Sequence, residues 1–311
     1  MRNIRRSISA FLAAVILGLT VFAGCLTGCS KTPAETVSVN IDYGSASVAY
    51  LGPEGTYSQE ACEVFFGKKD GFVPYKTVAE AVASVGGGEC KYAVIPQENT
   101  IGGAVTDYVD IVIGTTGISV VGEVELTINQ NLLVVSGTSL DQIKTVYSHA
   151  QGIAQGKEWL AANLPGAEIV EVSSTAEGAK IVSEKNDKSC AAIGAAACAD
   201  VYKLEVLASG IQNSDSNKTR FYVLSTQAPA TAKAARLVFV ASGDAKELPE
   251  LLALMKDRGM ELVTINSRPA KTRLGEYNYL IECSGCSYEA FLKVKEKAKL
   301  QVRYLGSFDV K

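Results

Sequence analysis

Histidine occurs once in the 311 residues of this chain, at His149, and the eight cysteines include a single C-x-x-C, Cys283-Ser284-Gly285-Cys286, with no second pair to complete it. Four-ligand zinc sites draw on such residues in sets, so this scarcity argues against a metal centre, and no metal is expected. Basic residues are outnumbered, 30 against 33 acids for a net charge of −3. A mildly acidic surface repels phosphate backbones, and nucleic acid is not an expected partner. The N-terminal apolar run, 8–23, is too short to span a bilayer comfortably.

The N-terminus nevertheless carries an address. Arg2, Arg5 and Arg6 precede the apolar run and small residues follow it, the pattern of a signal peptide over 1–28. Leu26-Thr27-Gly28-Cys29 resembles the lipobox of bacterial lipoproteins, which implies that Cys29 is lipidated as the first residue of the mature chain. Phe22-Ala23-Gly24-Cys25 is a poorer match, and an uncleaved helix retained in the membrane is the alternative. Residues 29–47 are polar, with Pro and Gly, and read as a tether. The expected location is therefore outside the cytoplasm, either periplasmic or on the outer face of the bacterial cytoplasmic membrane, with the lipid anchor as the only membrane contact. Loss of 1–28 leaves 27 basic residues against 33 acidic ones, a net −6. Six cysteines lie beyond Cys29, and in an oxidising compartment some could pair. Cys283 and Cys286 read as a strand end and its turn, with a disulfide as the other reading.

With 47% hydrophobic and 20% charged residues, the remainder is globular and long enough for two domains. Short apolar strands alternate with amphipathic helices expected near 58–66, 104–113, 151–162, 175–184 and 195–202, which argues α/β layers with largely parallel strands. Polar 225–235 reads as a linker. Beyond it the pattern is β-α-β-β-α-β, with Leu248, Leu251, Leu252 and Met255 forming the apolar stripe of its first helix, and this predicts a ferredoxin-like sandwich.

Four stretches place a polar or Gly-containing turn at a strand boundary: "LGPEGTYSQEA", "IPQENTIGGAV", "SHAQGIAQ" and "NKTRF". The first three then open a helix. Each alone is ordinary capping and turn chemistry, and Thr56 with Gln59 has the spacing of a capping box. Together they would line the cleft at the carboxyl ends of strands, where helix N-termini offer N–H groups to anions.

The ordered set resembles the prephenate dehydratase family. The signatures stand here as Gly52-Pro53-Glu54-Gly55-Thr56-Tyr57-Ser58, Ile95-Pro96-Gln97-Glu98-Asn99-Thr100, Ser148-His149-Ala150-Gln151, Asn217-Lys218-Thr219-Arg220-Phe221 and Asn266-Ser267-Arg268-Pro269. The resemblance implies an α/β dehydratase domain over 48–227 with two lobes, about 48–123 plus 215–227 and 124–214, similar to type 2 periplasmic binding proteins. A ferredoxin-like βαββαβ ACT domain over 234–311 would follow. It implies prephenate as substrate, lost water and carbon dioxide, phenylpyruvate as product in phenylalanine biosynthesis, and no cofactor. Thr219 would donate to the leaving hydroxyl, with Glu98 as the rival acid. Thr56, Ser58, Asn99, Thr100, His149, Gln151 and Arg220 would bind substrate. A hydrogen-bonding imidazole and a direct substrate contact are both open for His149.

The resemblance also implies a homodimer through the ACT domain and a regulatory set of Leu248, Asn266, Ser267 and Arg268. Departures from the family pattern are Gln97 for Ile, Thr100 for Ser, Ala150 for Pro and Gln130 where a His is expected. Lys246 replaces a Gly and Asn266 a Glu in the regulatory motifs, which argues against ordinary phenylalanine feedback. Arogenate dehydratase and a non-catalytic solute-binding lipoprotein are the alternative functions.

Overall fold

The computed structural model describes residues 46–227 and 234–310. The expected signal peptide, Cys29 and nearly all of the tether lie outside the described residues. Among those described, no helix is long and apolar enough to cross a membrane.

The first sheet forms from β1 (Val48–Leu51), β2 (Phe72–Tyr75), β3 (Tyr92–Asn99), the two-residue β4 (Gly103–Ala104), β5 (Ser119–Thr127) and the returning β11 (Lys218–Ser225), in the order β2-β1-β3-β11-β5 with β4 on β3. Its strands are apolar on both faces because both faces are covered. Val48, Tyr50, Tyr92, Val94, Phe221 and Val223 point to one side, where Ala61, Cys62 and Phe65 of α1 (Tyr57–Phe66) cover them. The alternate residues Ala49, Ala93, Ile95, Tyr222 and Leu224 meet α2 (Val78–Gly86) and α3 (Thr106–Gly114). Helix α2 was not anticipated from sequence. Its start is a full capping box: the Glu80 N–H donates to Thr77 Oγ1 at 3.1 Å and the Thr77 N–H to Glu80 Oε2 at 3.0 Å. At Thr56 the expected box is absent, because the Thr56 hydroxyl donates to the Leu51 carbonyl at 3.0 Å and Gln59 Oε1 accepts from the Gly55 N–H at 2.8 Å.

The chain leaves this sheet after β5 and builds a second one from β6 (Asn131–Val134), β7 (Thr145–Ser148), β8 (Glu168–Glu171), β9 (Cys190–Gly194) and β10 (Glu205–Ala208), in the order β10-β6-β9-β7-β8. The expected helix at 151–162 is two helices, α4 (Ala150–Gln155) and α5 (Lys157–Asn163), broken at Gly156. Helices α6 (Thr175–Lys185) and α7 (Ala197–Tyr202) complete this layer. The crossover lies at 128–130, so the lobe boundary expected at 123/124 falls inside β5. Neither sheet is purely parallel: β11 runs antiparallel to both β3 and β5, and β6 antiparallel to β9 and β10. A strand that enters a sheet from the opposite lobe arrives with the opposite polarity.

The C-terminal unit comprises β12 (Arg236–Asp244), α8 (Leu248–Lys256), β13 (Glu261–Pro269), β14 (Glu276–Ser284), α9 (Tyr288–Lys297) and β15 (Gln301–Phe308). Its antiparallel sheet has the order β13-β14-β12-β15, the ferredoxin-like arrangement the pattern predicts. One face packs on α8 and α9. The other is continuous with the first sheet's core: Val238, Val240, Leu280, Leu305 and Phe308 bury themselves among Val109, Val112, Val120 and Tyr222. Each such side chain contributes about 1.5–3 kcal/mol. The Cys283 and Cys286 thiols are free, with sulfurs 3.5 Å apart.

The C-terminal sheet lies tight against the first sheet at Gly306, where a Cβ would lie 1.8 Å from the Val120 carbonyl oxygen. Backbone stands on both sides, so neither can yield without parting the sheets. Gly306→Ala is expected to lower the unfolding free energy by about 2–3 kcal/mol, read by urea denaturation. An alanine variant as stable as its parent would contradict this packing.

Candidate active site

A cavity of about 600 Å³ opens between the first and second sheets. The first layer contributes Thr56 and Ser58 at the start of α1 and Pro96, Asn99, Thr219 and Phe221 from its sheet, and the second layer contributes Gln130, His149, Gln151, Gln155 and Ser173 to Thr175. Six of the expected site residues therefore meet here: Thr56, Ser58, Asn99, His149, Gln151 and Thr219. No Asp, Glu, Lys or Arg lines the cavity among the described residues.

Asn99 and Thr219 are direct partners across the β3–β11 ladder and share a face. Asn99 Oδ1 accepts from the Ile101 and Gly102 N–H groups at 3.0 and 2.9 Å, which fixes the amide's orientation. Its Nδ2 then donates to Asn217 Oδ1 at 2.8 Å, and to the Lys218 carbonyl and Thr219 Oγ1 at 3.0 Å each. Since the Thr219 oxygen is an acceptor in that bond, the hydroxyl's own proton is directed elsewhere and is available to a ligand. Thr56, by giving its hydroxyl to Leu51, leaves the first N–H groups of α1 without a side-chain cap beside the cavity. His149 is half-buried and caps α4: its Nδ1 accepts from the Gln151 N–H at 3.2 Å, so Nε2 is the ring's remaining donor.

Three expected site residues lie elsewhere. Thr100 ties a loop, its hydroxyl donating to the Ser216 carbonyl at 2.8 Å and accepting from the Lys218 N–H at 2.9 Å. Glu98 and Arg220 are one residue along from Asn99 and Thr219, and side chains alternate along a strand. Both therefore point away from the cavity, with Arg220 Nη1 3.6 Å from Glu98 Oε2. On that far face Arg220 Nε is 3.5 Å from Glu123 Oε1 and Nη1 is 3.6 Å from Glu282 Oε2 of the C-terminal unit. Arg236 Nε lies 3.0 Å from Glu282 Oε1, and the Tyr222 hydroxyl donates to Glu282 Oε2 at 2.7 Å. Glu123 and Glu282 are 2% and 1% exposed, which makes this a buried charge cluster. Burial first, and then the Glu282 charge, push the Glu123 carboxyl up to about 8.

The expected regulatory residues are also placed by packing. Leu248 packs against the C-terminal core, Asn266 Nδ2 donates to Thr264 Oγ1 at 3.3 Å, and Ser267 is exposed. Arg268 forms a two-pronged pair with Asp110 of α3, at 2.6 and 2.9 Å, and that guanidinium holds the Asp110 carboxyl below its usual range. Lys246 is surface-exposed and paired with Asp244 at 2.9 Å.

Sequence reasoning missed Gln155, Tyr108 and Ser173 to Thr175 in the lining, and noted Gln130 only as a departure. Gln130 Nε2 donates to Gln155 Oε1 at 2.8 Å across the cavity floor. The serine pair was legible in principle, since 172–175 repeats the motif of a strand end followed by a polar turn and a helix.

The sequence profile described as prephenate dehydratase matches residues 48–229. A bifunctional chorismate mutase/prephenate dehydratase of Neisseria gonorrhoeae is 34% identical over 84% of this chain and 74% of its own. A prephenate dehydratase of Methanocaldococcus jannaschii is 32% identical over 85% of this chain and 98% of its own. The solved prephenate dehydratase of Arthrobacter aurescens, in complex with L-Phe, superimposes with a TM-score of 0.75 at 29% identity, covering 85% of this chain and 89% of that one.

The cluster behind β11 has a measurable signature in stability. Glu123 is raised from 4.5 to about 8 in the fold, so the folded chain holds its proton where the unfolded chain has released it. This contribution to stability is whole below pH 4.5, is lost as pH rises through the window from about 4.5 to 8, and is constant above it, with a slope of up to about 1.4 kcal/mol per pH unit. Glu123→Gln is expected to remove that slope, so urea denaturation should show its stability gaining on the parent between pH 5 and 8. Parallel curves would contradict the assignment.

Proposed function

The chain belongs to the prephenate dehydratase family of hydro-lyases, and from that premise we propose that its cleft converts prephenate to phenylpyruvate in phenylalanine biosynthesis. We read the two sheets as the lobes of a periplasmic-binding-protein-like (type 2) domain closing on the substrate. The observation that carries the mechanism is the Asn99–Thr219 bond in a cavity without carboxylates. In the reaction the bond to the ring carboxylate breaks and its electron pair enters the ring as carbon dioxide leaves. The C–O bond to the ring hydroxyl breaks at the other end, and the oxygen departs as water once a proton reaches it.

Thr219 supplies the hydrogen bond to that departing oxygen. Threonine is a weak acid, so its effect comes from orientation in a desolvated site: Asn99 fixes the oxygen and frees the proton, and the bond strengthens as negative charge grows on the leaving group. Glu98 is set aside as the rival acid, since it faces away and pairs with Arg220. The substrate's two carboxylates are met without Lys or Arg, by the uncapped start of α1, by His149 and by the hydroxyls of Ser58 and Ser173 to Thr175.

The C-terminal unit reads as an ACT domain, supported by its βαββαβ order and Ser267-Arg268-Pro269. Strand β13 lies at the free edge of its sheet, which supports pairing with a second copy. Phenylalanine is a weak effector in this reading, because Arg268 is already held by Asp110 and Lys246 and Asn266 depart from the family's residues.

The full-length chain in detergent should release phenylpyruvate from prephenate, read by its absorbance. Thr219→Ala is expected to lower kcat by about 10²–10³-fold with little change in KM. Absence of turnover in the parent, or parental kcat in the variant, would sink the mechanism. Export and anchoring through Cys29 are part of the proposal and rest on the lipobox resemblance alone. Cells producing Cys29→Ser should shift the protein from the membrane to the soluble fraction, and an unchanged distribution would refute the anchor.

A further inference from the structure

The charge cluster behind the cavity has no part in the mechanism above, yet it adjoins the reacting strand. Arg220 follows Thr219 directly, and Tyr222 is the next residue on the same far face. Their partners come from four strands: Glu98 from β3, Glu123 from β5, Arg236 from β12 and Glu282 from β14. Glu98 and Glu123 are the direct ladder partners of Arg220 and Tyr222 respectively. Glu282, by contrast, reaches in from another sheet.

We propose that Glu282 of the C-terminal unit is a positioning residue for Thr219, acting through Arg220 in a clasp with Glu123 that holds only while one proton stays within it. Charge balance motivates the proton. Three carboxylates meet two guanidiniums, so a fully ionised cluster carries a surplus negative charge, and two of its carboxylates are all but removed from water. Glu123 Oε2 is buried and receives no hydrogen bond that would hold it ionised, and a proton on the Glu123 carboxyl has Glu282 as its acceptor. The titration of Glu123 close to 8 agrees with that placement.

Loss of the proton leaves Glu123 and Glu282 competing for Arg220. Because Arg220 shares a backbone with Thr219, a shift of the guanidinium toward either carboxylate strains β11 locally where it meets Asn99, with the ladder register unchanged. The 3.0 Å Asn99–Thr219 bond is the contact disturbed. Through this clasp the C-terminal unit completes the active site from behind: it is not merely an appendage on it.

The inference rests on the dehydratase reading, and two readouts separate their failures. With turnover, the parent's kcat should fall about fivefold between pH 7 and 9, while Glu123→Gln stays flat over that range. Glu282→Gln should lower kcat at pH 7 about fivefold with KM nearly unchanged and with the folded fraction, read by circular dichroism, equal to the parent's, which a general loss of folding would not produce. Carbon-13 spectra of glutamate-labelled protein should show one carboxyl titrating between pH 7 and 9, absent from Glu123→Gln. Superimposable kcat profiles, or a Glu282→Gln variant altered only in melting temperature, overturn the proposal. The lack of such a carboxyl signal overturns it as well, whether or not the chain turns over, whereas absence of turnover with the signal present counts against the dehydratase reading alone.

Discussion

Everything in this molecule is referred to β11, the strand that returns from the second sheet and inserts antiparallel between β3 and β5. Its backbone is bonded on both sides, so its side chains are held to the pleat and have no freedom to choose a face. Thr219 and Phe221 face the cavity, while Arg220 and Tyr222 face the C-terminal unit. A single residue of register shift would exchange the two sets and put a guanidinium in the cavity. The ladder thus protects the chemistry more than any single hydrogen bond does.

That arrangement explains an otherwise odd feature of the cavity, which faces a dicarboxylate substrate without a Lys or Arg in its lining. A fixed cation would bind the ground state tightly and add nothing at the leaving hydroxyl. Backbone N–H groups, an imidazole and hydroxyls spread the favourable potential over the cleft, and their dipoles are already aligned by α1 and the turns. The strong charges are kept on the other side of the sheet, where they tie the first sheet to the C-terminal unit.

The C-terminal unit shares its core with the first sheet and is bound by more than packing. Arg268 holds Asp110 of α3, whose first residues line the cavity, and Arg303 donates to the Ile113 and Thr115 carbonyls at that helix's end. The Gly306 backbone lies against Val120 of β5. These contacts, with the Glu282 clasp, reach α3, β5 and β11 in turn. Of the residues whose motif suggests an effector site, Arg268 is thereby occupied in joining the unit to the first layer.

Much of this was legible in the chain itself. The alternation of short apolar strands with helices pointed to α/β layers, although β2, β5, β6 and β10 were not anticipated; most expected helices came within two residues, and the β-α-β-β-α-β order of the last unit followed from periodicity alone, because local hydrophobic spacing is a property of neighbouring residues. Six of nine expected cleft residues also reach the cavity, since each lies at the end of a strand or at the start of the helix that follows one. What only the tertiary structure decided is which way adjacent residues face and what lies behind them. Glu98 and Arg220 were misassigned because a motif read as a string hides the two-residue period of a strand. Glu123, Glu282 and Arg236 were invisible because residues distant in sequence, on the first sheet and on the C-terminal one, acquire a shared charge balance only when those two sheets close on each other.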